Sequence, residues 1–236
     1  MEGKPYRPVA PWWHTALLLA PILLFSFLGG QRPGHRAIVQ HHLFEYTVTL
    51  AWEWVLAAVV LWGIWMRRVP LRQLLGVRRA SRREWRQDLL LAAAFWIAAS
   101  VVLAAIGILL RLAHSSVPEK TLAQLAPENA IELTLWILLS ISAGICEEIV
   151  FRGYLLQQFS SVRNQLWMGV LASSLLFGVA HGYEGVAGII VITVYGAMFC
   201  ALAIARGSLR PGMMAHAWHD IFSGIAWMLL HRSRVM

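Results

Sequence analysis

The sequence predicts an all-α protein, a polytopic transmembrane bundle of about seven or eight helices, and three observations predict it. Hydrophobic residues fill 58% of the 236 positions and charged residues only 14%, against about a quarter charged in soluble domains. The apolar residues gather into runs of roughly 20, the length an α-helix needs to cross a hydrocarbon layer at about 1.5 Å per residue. The net charge of +8 collects at the joints between those runs, where the positive-inside rule places topogenic arginines. No long soluble region separates the runs, so a single transmembrane domain over residues 1–236 is expected.

The first span runs from about Trp12 to Gly29, behind Lys4 and Arg7. It is read as a retained helix, not a cleaved signal peptide. Trp12 and Trp13 suit an interfacial anchor, and the exit Gly29-Gly30-Gln31-Arg32-Pro33 lacks a small-x-small cleavage pattern. The second span, about Phe44 to Met66, and the third, about Asp88 to Leu110, flank a joint carrying Arg67, Arg68, Arg72, Arg78, Arg79, Arg82, Arg83 and Arg86. This joint marks the cytoplasmic side. The joint either is a solvated topogenic loop with no binding role or lies on the membrane surface as an amphipathic turn through Leu71, Leu74 and Leu75, with anionic lipid as the expected partner of the arginines. Glu45 and Glu53, in or near the second span, are assigned to snorkelling or capping. Residues 111–129 turn polar around Pro118 and Pro127 and read as a loop on the opposite side. The remaining spans are about Ala130 to Gln157, Gln165 to His181, Val186 to Ala205 and Pro211 to Leu230.

Within these last four spans a short set of polar residues stands out: Glu147, Glu148, Arg152, His181, His216, His219 and Asp220. A carboxylate at bilayer depth costs several kcal/mol (about 2.5 to 3.5 on insertion scales), so an intramembrane acid marks a functional site by default. Helical neighbours at i and i+4 share a face. Glu148 therefore reaches Arg152, and breaking that pair when buried costs about 3 to 5 kcal/mol. Glu147 points about 100° away and lacks so obvious a partner, which leaves it free to act as a base. Phe177 with His181, and His216 with Asp220, repeat the i, i+4 spacing; the carboxylate either orients the imidazole or shares a ligand with it. His219 is on another face. Cys146 and Cys200 have neither the number nor the spacing of a disulfide framework or a zinc knuckle.

Glu-Glu-x-x-x-Arg at Glu147, Glu148 and Arg152, Phe-x-x-x-His at Phe177 and His181, and His-x-x-x-Asp at His216 and Asp220, preceded by Arg206-Gly207-Ser208-Leu209-Arg210-Pro211, resemble the motifs of the CPBP intramembrane proteases. That family includes the CAAX prenyl endopeptidases and bacteriocin-processing or immunity proteins. The likeness covers residues 140–223, taken as the catalytic core. It implies a glutamate-type intramembrane endopeptidase in which Glu147 and His181 hold and activate a water. His216 and Asp220 would then steady the oxyanion, with Glu148, Arg152 and Phe177 as structural support. The implied partners are a membrane-anchored or lipidated peptide substrate and membrane lipids, in a bacterial inner (plasma) membrane.

Asp220 stands where the family commonly has Asn, and an ionised Asp cannot donate a hydrogen bond. Either Asp220 is protonated, or it supports His216, or the site holds a metal. No cofactor is expected, since no His-Glu-x-x-His helix is present. A zinc ion on Glu147, His181, His216 and Asp220 is the chemical alternative. One difficulty is depth: His181 ends its span and His216 begins another, a separation that can exceed about 10 Å unless the helices tilt or start at staggered levels. A proton-coupled transporter and a non-catalytic immunity or scaffold protein are the competing functions. Nucleic acid is excluded as a partner, because the basic residues are topogenic and no recognition motif accompanies them.

Overall fold

The computed structural model describes residues 5–30, 42–76, 81–113 and 125–235. Helix α1 spans Trp12–Gly30, α2 His42–Met66, α3 Leu71–Leu75 and α4 Arg82–Leu112. Helix α5 begins at Ala130, runs to Glu147, continues without a break through a π-helical segment Glu148–Leu155 and closes with Leu156–Ser160. Helices α6 (Leu166–Ala180), α7 (Gly185–Arg206) and α8 (Arg210–Val235) complete the bundle. No strand occurs among the described residues. The protein is an all-α helical bundle.

Four helical stretches are long and apolar enough to cross a membrane among the described residues: His42–Met66, Arg82–Leu112, Ala130–Ser160 and Gly182–Arg206. Trp12–Leu28 and Leu166–Ala180 are apolar but shorter; the 15 residues of α6 reach only ~22 Å. Around an apolar core the bundle also exposes apolar side chains and buries polar ones. Leu90, Ile97, Val101 and Leu109 of α4 are exposed, while Glu148, Arg152 and Gln158 are almost fully buried. Outward apolar and inward polar side chains are what lipid as solvent demands.

One span limit differs from the sequence reading. The third span starts at Arg82, not Asp88, because Ser81 and Glu84 form a capping box that satisfies the first amides of α4. Asp88 is thereby carried inward and is fully buried. The turn at Leu71–Leu75 is docked on the bundle: Leu74 is buried while Leu71 is exposed, Leu74 and Leu209 both pack over Gly153, and the Leu209 amide donates to the Leu75 carbonyl at 3.0 Å. Arg78, Arg79 and most of the 111–129 loop lie outside the described residues.

Three contacts fix the levels of the helices. Tyr154 of α5 bonds Thr15 Oγ1 at 2.9 Å and His14 Nδ1 at 3.0 Å. His14 Nε2 lies 2.9 Å from the Val59 carbonyl; a carbonyl only accepts, so Nε2 carries the hydrogen and Nδ1 receives the Tyr154 hydroxyl. Asp88 of α4 pairs with Arg206 at 2.5 Å and Arg210 at 2.7 Å, joining the end of α7 to the start of α8. Gly144 lets α5 approach α8 so closely that a Cβ there would lie 2.6 Å from the Met213 carbonyl oxygen.

Helix α8 does not begin at the level where α5 ends. Leu209 packs over Gly153, about 10 Å inward from Ser160 along α5, and His216 lies about 9 Å deeper. That staggered start brings His216 to the depth of Glu148 and resolves the depth problem posed by the span limits.

Candidate active site

The π segment occupies Glu148–Leu155, and its closing amide, Leu156 N–H, donates to Phe151 O, five residues back. Such widened turns occur mostly at functional sites, and here the turn carries Glu148 and Arg152. Arg152 Nη1 donates to Glu148 Oε1 at 2.9 Å with both side chains buried. The guanidinium lies 4.1 Å from the Phe177 ring centre and 4.8 Å from that of Phe199, so cation–π attraction adds to the ion pair in a desolvated setting. The same Glu148 oxygen lies 3.2 Å from His216 Nδ1. Glu148 thus ties Arg152 to His216, a second contact that the i, i+4 reading did not reveal. Gly212 keeps room for it: a Cβ there would lie 3.1 Å from Glu148 Oε2.

Glu147, the last residue before the π turn, faces elsewhere. It lines a cavity of about 210 Å³ together with His181, walled by Ile22, Phe25, Trp52 and Phe151. Its Oε2 makes no hydrogen bond and lies 3.8 Å from His216 Nε2. His181 follows the last residue of α6, and its Nδ1 is 2.9 Å from the Phe177 carbonyl. That carbonyl fixes the hydrogen on Nδ1 and leaves Nε2 as an acceptor. The Phe177 ring stands against both imidazoles, 4.9 Å from His181 and 6.0 Å from His216.

Asp220 Oδ2 lies 3.8 Å from His216 Nε2, beyond hydrogen-bond reach. His216 and Asp220 do not line the cavity; they stand behind Glu147. His219 turns away onto Tyr195, 5.1 Å between rings. Among the described residues no three His, Cys, Asp or Glu side chains are placed to hold a metal ion.

The spacing argument passed over Glu53. It is buried, lines the same cavity as Glu147 and His181, and its Oε2 makes no hydrogen bond. Its position in the middle of the 25-residue helix α2, too deep to snorkel, is the signal that marks it.

Comparison with known proteins agrees with the motifs. Residues 129–222 match the family model described as type II CAAX prenyl endopeptidase, Rce1-like. An uncharacterized protein of Mycoplasma capricolum subsp. capricolum is 33% identical over 96 residues, covering 39% of this chain and 27% of that protein. The chain thus spans about a quarter of the length of that relative. No solved structure matches. Glu147, Glu148, Arg152, Phe177, His181, His216 and Asp220 all fall inside the matched segment, so that residues 129–222 are similar to the type II CAAX prenyl endopeptidases in the stretch that holds the site.

Proposed function

We propose that the protein is an intramembrane endopeptidase of a bacterial inner membrane that cleaves a peptide bond near the membrane surface in a membrane-anchored or lipidated substrate. The observation that carries this reading is the convergence of the Glu147 carboxylate and the His181 imidazole on one largely apolar cavity inside the bundle. A water between them is held by His181 Nε2 and loses its proton to Glu147 as it attacks the scissile carbonyl. A positioned base contributes about 10² to 10⁴ in rate.

The oxygen of the attacked carbonyl gains negative charge, and His216, 3.8 Å behind the Glu147 carboxylate, serves as its donor once the substrate carbonyl reaches past Glu147. Its Nδ1 side is held by Glu148 and its Nε2 side faces Glu147 and Asp220. Asp220 acts through His216: its charge favours the protonated imidazole, and it makes no hydrogen bond that would present it as a donor. Glu148, Arg152 and Phe177 hold this imidazole in place. The cavity walls supply an apolar, water-poor surround in which these electrostatic effects are stronger than in water. The mechanism is metal-free.

The test compares purified wild type with Glu147→Ala and His181→Ala on a quenched peptide library in detergent, with and without a chelator. Cleavage by wild type alone, unaffected by the chelator, is the expected result. Cleavage by folded Glu147→Ala at the wild-type rate would overturn the assignment.

A further inference from the structure

The cavity shared by Glu147 and His181 has a third ionisable wall. Glu53 is only 6% exposed, one of its oxygens has no hydrogen-bond partner, and it faces into the cavity. Glu147 Oε2 is likewise without a hydrogen bond. The groups that act on Glu53 are Glu147 and Ser142 of α5 and His216 and Asp220 of α8. Cys146 of α5, with His181 and Tyr183 beyond the end of α6, completes the titratable lining, and α1 contributes only the Ser26 hydroxyl to its polar part. Two carboxyls on one low-dielectric cavity hold a single proton between them in preference to two negative charges.

We propose that Glu53 is a further catalytic carboxyl, sharing one proton with Glu147 across the cavity and delivering it to the leaving amine. This rests on the endopeptidase reading above. In the first step Glu147 takes a proton from water, the hydroxide oxygen bonds to the scissile carbon and the carbonyl oxygen becomes the oxyanion. In the second step the C=O bond re-forms and the C–N bond breaks. The nitrogen takes the proton of Glu53, giving an amine and a carboxylic acid as products. Glu147 then returns its proton to Glu53, which restores the starting pair, and the acid product loses its proton to the amine product. No other reactant is needed.

Two readouts on the full-length protein in dodecyl maltoside, a detergent without carbonyl groups, test this. By infrared spectroscopy with ¹³C-labelled glutamate, wild type at neutral pH is expected to show the C=O stretch of a protonated glutamate. Glu53→Gln abolishes that band and Glu147→Gln displaces it. In peptide cleavage, Glu53→Gln is expected to lower kcat by about 100-fold with KM unchanged and to remove the alkaline limb of the pH profile, whereas Glu53→Asp recovers part of the rate. An active wild type with Glu53→Gln retaining the same kcat and pH profile overturns the role of Glu53 and leaves the endopeptidase reading standing. Absence of the band in wild type overturns the shared proton. A wild type that cleaves nothing, equal to Glu147→Ala, removes the endopeptidase reading and the catalytic role of Glu53 with it.

Discussion

Two buried acidic centres lie in this bundle, and they treat their charge in opposite ways. Asp88, fully buried, has one arginine on each carboxylate oxygen, Arg206 at 2.5 Å and Arg210 at 2.7 Å. Around the cavity, no arginine ion pair is found for Glu147 or Glu53 among the described residues; Glu147 Oε2 has His216 Nε2 at 3.8 Å. The first centre has its charge compensated and connects α4, α7 and α8. The second holds its carboxylates without arginines, beside a cavity where a water-sized reactant fits. Buried charge that is matched is architecture; buried charge left open beside a cavity is where chemistry is to be sought.

The comparison predicts that acids of the two centres separate stability from activity. The largest effect is at the open centre, where Glu147→Gln is expected to lower kcat by 10² to 10⁴, approximately, with the unfolding midpoint in mixed micelles unchanged. At the matched centre Asp88→Ala leaves two arginines uncompensated and is expected to cost about 3 to 5 kcal/mol in the same unfolding experiment. The fraction that remains folded keeps its kcat. A smaller loss, about 1 to 3 kcal/mol, is expected for Gly144→Val, which forces apart the close contact of α5 with α8 at the Met213 carbonyl. Smallest is Ser81→Ala: loss of the cap on α4 costs about 1 kcal/mol. Equal losses of activity and stability at Glu147 and Asp88 would erase the distinction.

Hydropathy was sufficient to locate the helices, four of which are long and apolar enough to cross a membrane among the described residues, because each apolar run is a local property of the chain. All seven appear as helices, with limits differing by a few residues where a cap such as Ser81 or Asn129 sets the start. Helical spacing likewise found the Glu148–Arg152 pair and separated it from Glu147. Three features were beyond a local reading. The π turn depends on how α5 packs, not on any residue type in Glu148–Leu155. The depth of His216 depends on where α8 begins, which Asp88, Gly153 and Leu75 determine from three other elements. Glu53 gained its place in the cavity only when α2 met α5, since its own neighbours in sequence carry no motif.

The adjacent pair Glu147 and Glu148 tests the central claim most directly, because the two differ by one position and by environment alone. Peptide cleavage and unfolding should be measured on the same preparations of Glu147→Gln and Glu148→Gln. The account predicts a Glu147→Gln protein as stable as wild type that does not cleave, and a Glu148→Gln protein that is destabilised because Arg152 has lost its counter-charge. A stable Glu147→Gln that cleaves at the wild-type rate would contradict it.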